Sequence, residues 1–226
     1  GSVWDPTSFV SENTGRNDYL NFNVYTDFER IFADSHYVKA MVGLQTEEYT
    51  PREVWLSKAG VIVPNLPSIN TSSGLSETGE QIPPDVAGSY GRWTTAGFFG
   101  RINYNYMEKY LFEANLRRDG SSRFRADKRW GWFPSFSFGY NITKESFFEP
   151  ATQYVNTLKL RASYGSLGNQ NTSNWYPTYA AMGFANQSGT WLIDGKKTNI
   201  AWPPVLISSL LTWEKIRSWN IGLDFG

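Results

Sequence analysis

FFGRINYNYMEKYLFEANLRRDGSSRFRADKRWGWFPSFSFGYN, residues 98–141, decides the fold, because it contains three consecutive runs of alternating side chains. One alternation set holds Phe98, Ile102, Tyr104 and Tyr106, then Tyr110, Phe112, Ala114 and Leu116, then Phe136, Phe138 and Tyr140. The other holds Arg101, Asn103 and Asn105, then Glu113, Asn115 and Arg117, then Ser135, Ser137, Gly139 and Asn141. A strand sends successive side chains to opposite faces, so each run has one apolar and one polar surface. Tyrosines gather near the strand ends, as in an aromatic girdle. A transmembrane barrel, lipid-facing outside and wet inside, accounts for this pattern better than a soluble sheet.

Working outward, seven strands are read. The first spans Tyr19 to Phe32 and the second Tyr37 to Thr46, joined by the polar turn Ala33-Asp34-Ser35-His36 as a hairpin. The third, Thr94 to Tyr106, meets the fourth, Tyr110 to Arg117, through Met107-Glu108-Lys109, and Asp119-Gly120-Ser121 then opens a polar, basic loop to Arg129. The fifth spans Trp132 to Ile142, the sixth Leu158 to Gly165 and the seventh Thr212 to Phe225. Two long segments rich in turn residues, Tyr49 to Arg92 and Ser166 to Leu211, follow even-numbered strands, whereas the shorter links follow odd-numbered ones. Short turns on one side and extended loops on the other are the pattern of an outer-membrane barrel, and loops of this length are usually functional or mobile.

The composition is compatible with that reading. The 226 residues carry formal net charge +0, and no apolar run approaches the ~18 to 20 residues of a spanning helix, whereas a tilted barrel strand needs only roughly 9 to 11. Aromatic residues make up 17% of the chain, which suits interfacial belts or sugar-stacking surfaces. With Cys 0 there is no disulfide framework, thiolate metal site or cysteine nucleophile. The first residues hold no basic segment followed by an apolar stretch, so an exported protein is expected to be represented here by a processed or partial chain.

The wording of the strands carries a family resemblance. GFFGRINYNYMEKYLFEANLRRDGSSRF at 97–124, RWGWFPSFSFGYNITKESFF at 129–148, LKLRASYGSLGNQN at 158–171 and LTWEKIRSWNIGLDFG at 211–226 closely resemble the SusC/RagA-like TonB-dependent transporters of Bacteroidota. Before Gly97 the sequence is only strand-compatible with them. The resemblance implies an all-β fold, a 22-stranded antiparallel transmembrane barrel with an N-terminal plug, located in the cell outer membrane. It also implies a SusD-like surface lipoprotein as lid, and import of oligosaccharides or peptides driven by a TonB complex. Residues 1–226 are then expected to be a partial barrel of about seven strands, an internal piece without plug or TonB-contacting segment.

Enzyme chemistry has little to stand on. His36 is the only histidine and falls in a turn, where a solvated or capping role is expected, and without a second His or any Cys no metal site is expected. Glu47 and Glu48 are adjacent, so in an extended chain they point apart and form no facing carboxylate pair. No phosphate-cradling glycine loop or nucleophile elbow occurs. Asp119-Gly120-Ser121 lacks the remaining ligands of a calcium loop and reads as a turn. Asn-x-Ser/Thr triplets at Asn70, Asn141, Asn171 and Asn186 are assigned no glycosylation role. No catalytic residue and no cofactor is expected.

The functional candidates are polar-face cations and loop tryptophans. Arg101, Glu113, Arg117, Lys159 and Arg161 share the polar face, where they hydrate a lumen, pair with a plug or contact cargo; Arg117 and Arg161 are the cargo candidates. Trp55, Trp175, Trp191 and Trp202 lie in the long segments and either stack on sugars, meet a lid or pack their own loops; the last three join the candidate substrate-binding set. Balanced charge without a basic aromatic cluster argues against nucleic acid. The rival readings are a passive porin-like barrel, a soluble carbohydrate-binding β-sandwich, and a barrel hydrolase that lone His36 makes implausible.

Overall fold

The computed structural model of the chain describes residues 7–172, 174–185 and 189–226; Asn186 therefore lies outside the described residues. The described residues are all-β apart from two 3-10 turns, Ile142–Lys144 and Ser146–Ala151. The principal strands are β1 (Phe9–Phe32), β2 (His36–Ala59), β3 (Asp85–Tyr90), β4 (Trp93–Tyr106), β5 (Tyr110–Ser121), β6 (Trp130–Asn141) and β7 (Leu158–Asn169). Two-residue strands β8 (Phe184–Ala185), β9 (Leu192–Ile193), β10 (Lys196–Lys197) and β11 (Ile200–Ala201) precede β12 (Glu214–Phe225). The sheet runs β1-β2-β4-β5-β6-β7-β12, with β3 paired to β2 off that path. Every pairing between β4 and β12 along it is antiparallel.

Seven strands form the path, as the alternation predicts, but several run further than expected. β1 begins at Phe9 and β2 continues to Ala59, so the segment expected to be irregular from Tyr49 is strand for another eleven residues. It also holds β3, with Trp55 opposite Ala87. Alternation fails to mark this part because both of its faces carry polar residues, such as Glu53 and Arg52, while ladder hydrogen bonds still satisfy the backbone. Asp119-Gly120-Ser121 is likewise strand rather than loop. Gly120 faces Trp130, whose ring would meet a β-carbon there at 2.9 Å, so this glycine serves close packing instead of a turn.

Residues 21–47 with 93–226 pack as one unit, and residues 1–20 with 48–92 as another. In the first, register turns the alternation of single strands into files across the sheet. Tyr104, Phe112, Phe138, Ala162 and Ile221 form one apolar file, flanked by the polar file Asn103, Glu113, Ser137, Ser163 and Asn220. Among the described residues no second layer covers the apolar files: Ile221 is 90% exposed, Trp219 77% and Leu223 58%. Among the described residues the buried hydrophobics are only Ala59, Phe124, Phe133 and Trp213. A sheet that leaves whole apolar rows uncovered is built to be solvated by hydrocarbon.

The short connections of this unit lie side by side. The Met107 amide donates to the Ser35 carbonyl at 2.9 Å and the Asn141 amide to the Lys109 carbonyl at 2.8 Å, while Thr157 and Gly226 exchange backbone hydrogen bonds. Both tight turns put two central residues at positive φ, Ala33 at 46° with Asp34 at 54°, and Met107 at 51° with Glu108 at 58°. Such turns suit the right-handed twist of a hairpin. His36 is the first residue of β2, not a solvated turn residue: its Nδ1 lies 2.8 Å from the Tyr104 hydroxyl and its ring packs 4.7 Å from that of Tyr106. The second unit is fastened by Ser8, which receives the Gly60 amide on its carbonyl and the Val61 amide on its hydroxyl, and by a 2.9 Å ion pair between Arg92 and Glu48.

Candidate functional site

The polar face of the first unit is a connected surface of charges and amides. Arg101 Nε donates to Asn115 Oδ1 at 2.5 Å, and Asn115 Nδ2 donates to Glu113 Oε1 at 2.8 Å. These links follow from register, since Arg101 stands opposite Asn115 and Glu113 is two residues along the same face. Asn103 Oδ1 beside them is buried with no protein partner. Asn103, Glu113, Ser137, Lys159, Arg161 and Asn220 line an open concavity of about 800 Å³.

Arg117 sits at a second point on this face, near the long-loop ends of β5 and β6. It donates to both carboxylate oxygens of Asp119, at 2.9 and 3.2 Å, and to Gln45 Oε1 at 3.3 Å, while its guanidinium lies 5.4 Å from the centre of the Phe99 ring. Phe99 in turn rests where a side chain on Gly43 would be, beside Tyr25. Arg117 thus lines a smaller cavity of about 180 Å³ with Gln170 and Trp213. Arg161 donates to Asp224 at 2.6 Å and lines the larger cavity. The two candidate arginines are therefore separately paired and occupy different cavities.

An aromatic knot closes the polar face next to Arg117. Phe124, Phe133 and Trp213 are all buried, with ring centres 5.5 and 5.3 Å from Trp213, and Trp213 Nε1 donates to the Arg129 carbonyl at 2.7 Å. Phe133 lies across Gly131 and Gly168, leaving no space for a β-carbon at Gly168. Sequence reasoning missed this knot because Phe133 shares the alternation phase of Ser135 and Ser137, where an aromatic residue breaks the pattern. The pair of glycines opposite it was the available signal.

The loop tryptophans do not form one surface. Trp175 lies 5.3 Å from the Arg123 guanidinium, which also faces Trp93 at 5.9 Å and donates to the Thr172 hydroxyl at 3.0 Å. Burial among these groups lowers the Arg123 pKa from its usual value. Trp191 is 78% exposed beside the pair formed by β9 and β10, and Trp202 covers Gly183 beside that of β8 and β11. Trp55 lies within β2 in the second unit, not in a loop. Among the described residues no group of three His, Cys, Asp or Glu side chains is placed to hold a metal, and Glu47 and Glu48 have separate partners in Gln45 and Arg92.

An antiparallel sheet with uncovered apolar files on one face and a hydrogen-bonded polar surface on the other defines a class: membrane-spanning strands that border a wet interior. Residues 2–226 match the family described as TonB dependent receptor-like, beta-barrel. The chain is 38% identical over 135 residues to the TonB-dependent receptor SusC of Bacteroides thetaiotaomicron, covering 60% of this chain and 13% of that protein. It is 29% identical over 209 residues to the TonB-dependent receptor P39 of Formosa agariphila, covering 92% and 18% respectively. A solved structure of the RagAB peptide transporter shares its fold at TM-score 0.80 and 22% identity, over 98% of this chain and 23% of that one. The open-open state of the RagAB peptide importer gives 0.81 at 23% identity, with the same coverage.

The chain belongs to the TonB-dependent receptor β-barrel family as a SusC/RagA-like homologue, and its location is the outer membrane. It spans less than a fifth of the length of these two curated relatives.

Proposed function

We propose that residues 1–226 are barrel throughout and supply about seven strands of a 22-stranded transporter that imports oligosaccharides or peptides. In this reading a SusD-like lipoprotein closes over the long connections, and a TonB complex acting through another region supplies the energy. The observation that carries the proposal is the file of Asn103, Glu113, Ser137, Ser163 and Asn220 beside the apolar file of Tyr104, Phe112, Phe138, Ala162 and Ile221. Lipid on one side and a hydrated passage on the other need that pairing of rows.

Each candidate residue then has a role set by its surroundings. Arg161, paired to Asp224 and lining the larger cavity, offers cargo a hydrogen-bonding wall. Arg117, held over Phe99, presents a fixed guanidinium near the loop ends, suited to a sugar hydroxyl or a peptide carbonyl. Trp191 and Trp202 serve capture at the mouth, while Trp175 holds the Arg123 loop in place. No bond is made or broken in this passage.

Uptake of labelled oligosaccharides and peptides by cells carrying the full-length transporter tests the reading. Deleting residues 60–84 or 170–211 is expected to abolish lid binding or uptake while leaving a folded barrel in the membrane. Normal lid binding and uptake in both deletions would contradict it. Uptake that persists without TonB energy would replace it with the passive porin.

A further inference from the structure

A cation stands on the apolar face near the long-loop end of β5. Arg118 is in phase with Phe112 and Leu116, the apolar rows, whereas its neighbour Arg117 faces the polar side. It stands opposite Phe98 on one side and Trp132 on the other. Its guanidinium lies 5.1 Å from the centre of the Trp130 ring and 5.3 Å from that of Trp132. Trp130 is itself stacked on Phe98 at 6.1 Å and laid over Gly120. The arginine is therefore clamped by rings and not swinging free.

Its charge has no counterpart among the described residues. Among the described residues no carboxylate lies within ion-pairing distance of Arg118, and Asp119 next to it points to the opposite face and is committed to Arg117. The following loop adds Arg123, Arg125, Lys128 and Arg129 against the single acid Asp127. An anion approaching along the apolar face therefore meets the Arg118 charge uncompensated by any described carboxylate.

The height of Arg118 on the sheet says what that anion is. It is eight residues along β5 from Tyr110, which stacks on Tyr140 at 5.1 Å as the opposite aromatic border. At about 3.3 Å per residue this is roughly 26 Å of strand, and a tilt of about 40° makes it roughly 20 Å of height, close to the apolar band of an outer-membrane barrel. Phe112 with Phe138, Ala114 with Phe136, and Leu116 with Pro134 fill the rows between. Arg118 thus meets the headgroup layer, with hydrocarbon-compatible rows immediately beneath it.

We propose that Arg118, clamped by Trp130 and Trp132, binds the phosphate of an anionic membrane lipid at the long-loop border, with the acyl chains lying along Leu116 and Phe136. The inference rests on the outer-membrane transporter reading. Guanidinium and phosphate form paired charge-assisted hydrogen bonds, and the rings orient the fork while leaving it open to a ligand.

The test uses the full-length transporter in phosphatidylcholine nanodiscs doped with a bisphosphorylated glycolipid or its dephosphorylated analogue, with bound lipid counted by native mass spectrometry. The wild type is expected to retain the phosphorylated lipid selectively. Arg118→Gln should weaken that retention by at least about tenfold, and Arg118→Lys, which keeps charge but loses the fork, by less. Heat-modifiable migration establishes that each variant is folded. Equal retention by the wild type and Arg118→Gln, or displacement of the lipid by millimolar inorganic phosphate, would overturn the proposal. Absence of the folded wild type from outer-membrane fractions would instead overturn the transporter reading beneath it.

Discussion

Gly97 lies directly beneath the Asp119 carboxylate, its cross-strand partner, with no room for a β-carbon between them. That vacancy lets Asp119 turn along the sheet toward Arg117 and hold its guanidinium over Phe99. Gly97→Ala is expected to push the carboxylate off Arg117. Asp119→Asn weakens the same link, so the two substitutions should alter uptake in the same direction without adding. Because the pair is partly exposed, each should change unfolding stability by less than about 1 kcal/mol. Additive effects in the double variant would separate Gly97 from the ion pair.

The knot of Phe124, Phe133 and Trp213 is the packed element of the polar face, so its loss should cost far more than that of any file residue. Phe133→Ala is expected to destabilise the folded state by about 3 kcal/mol, and Gly168→Ala, which drives a methyl into the Phe133 ring, by about 1 to 3 kcal/mol. Denaturant titration of the refolded barrel measures both.

At the short-turn end, Met107 and Glu108 both adopt left-handed backbone without being glycine or asparagine. Met107→Asn relieves part of that strain and should stabilise the hairpin by about 0.5 to 1 kcal/mol. Glu108→Gly should gain less, because it also discards the 2.7 Å ion pair to Lys144. Their thermal unfolding midpoints should follow that order.

The same end has a pH response. Hydrogen bonding to Lys109, then to Tyr110, holds the Glu145 carboxyl below its ordinary range, and Lys144 does the same for Glu108. A depressed folded-state pKa contributes stability that is complete above the ordinary Glu range and disappears as pH falls through the depressed values. The difference in unfolding midpoint between wild type and Glu145→Gln should therefore be present at neutral pH and shrink as the pH falls below the ordinary Glu range. A difference that grows on acidification would contradict this sign.

Legibility in the sequence followed the solvent. Where one face meets hydrocarbon and the other water, as in β4 to β7 and β12, alternation marked faces and strand limits to within a few residues, while the register that sets Phe112 opposite Phe138 came only with the structure. Beyond Thr46 both faces of β2 carry polar residues, so periodicity went silent although the ladder continued to Ala59. Asp119-Gly120 carries the chemistry of a turn, and only the bulk of Trp130 shows why a glycine is needed mid-strand. Arg117 and Arg161 were legible as polar-face cations, but their partners Asp119, Gln45 and Asp224 depend on geometry that spacing alone does not encode. The loop tryptophans carry no periodicity, so nothing in the sequence indicated that Trp175 packs on Arg123.

The central claim is that one set of files faces lipid and the other faces water. Single cysteines at Phe112, Leu116, Phe136, Phe138, Leu160 and Leu223, and at Glu113, Arg117, Ser137, Arg161 and Asp224, placed in the cysteine-free strands of the full-length transporter, test it most directly. The first set should react with an apolar, membrane-partitioned maleimide and the second with a charged, water-soluble one. In parallel, Phe138→Arg should cost about 2 to 4 kcal/mol while Ser137→Arg leaves assembly intact. Preferential labelling of the second set by the apolar reagent would contradict the account.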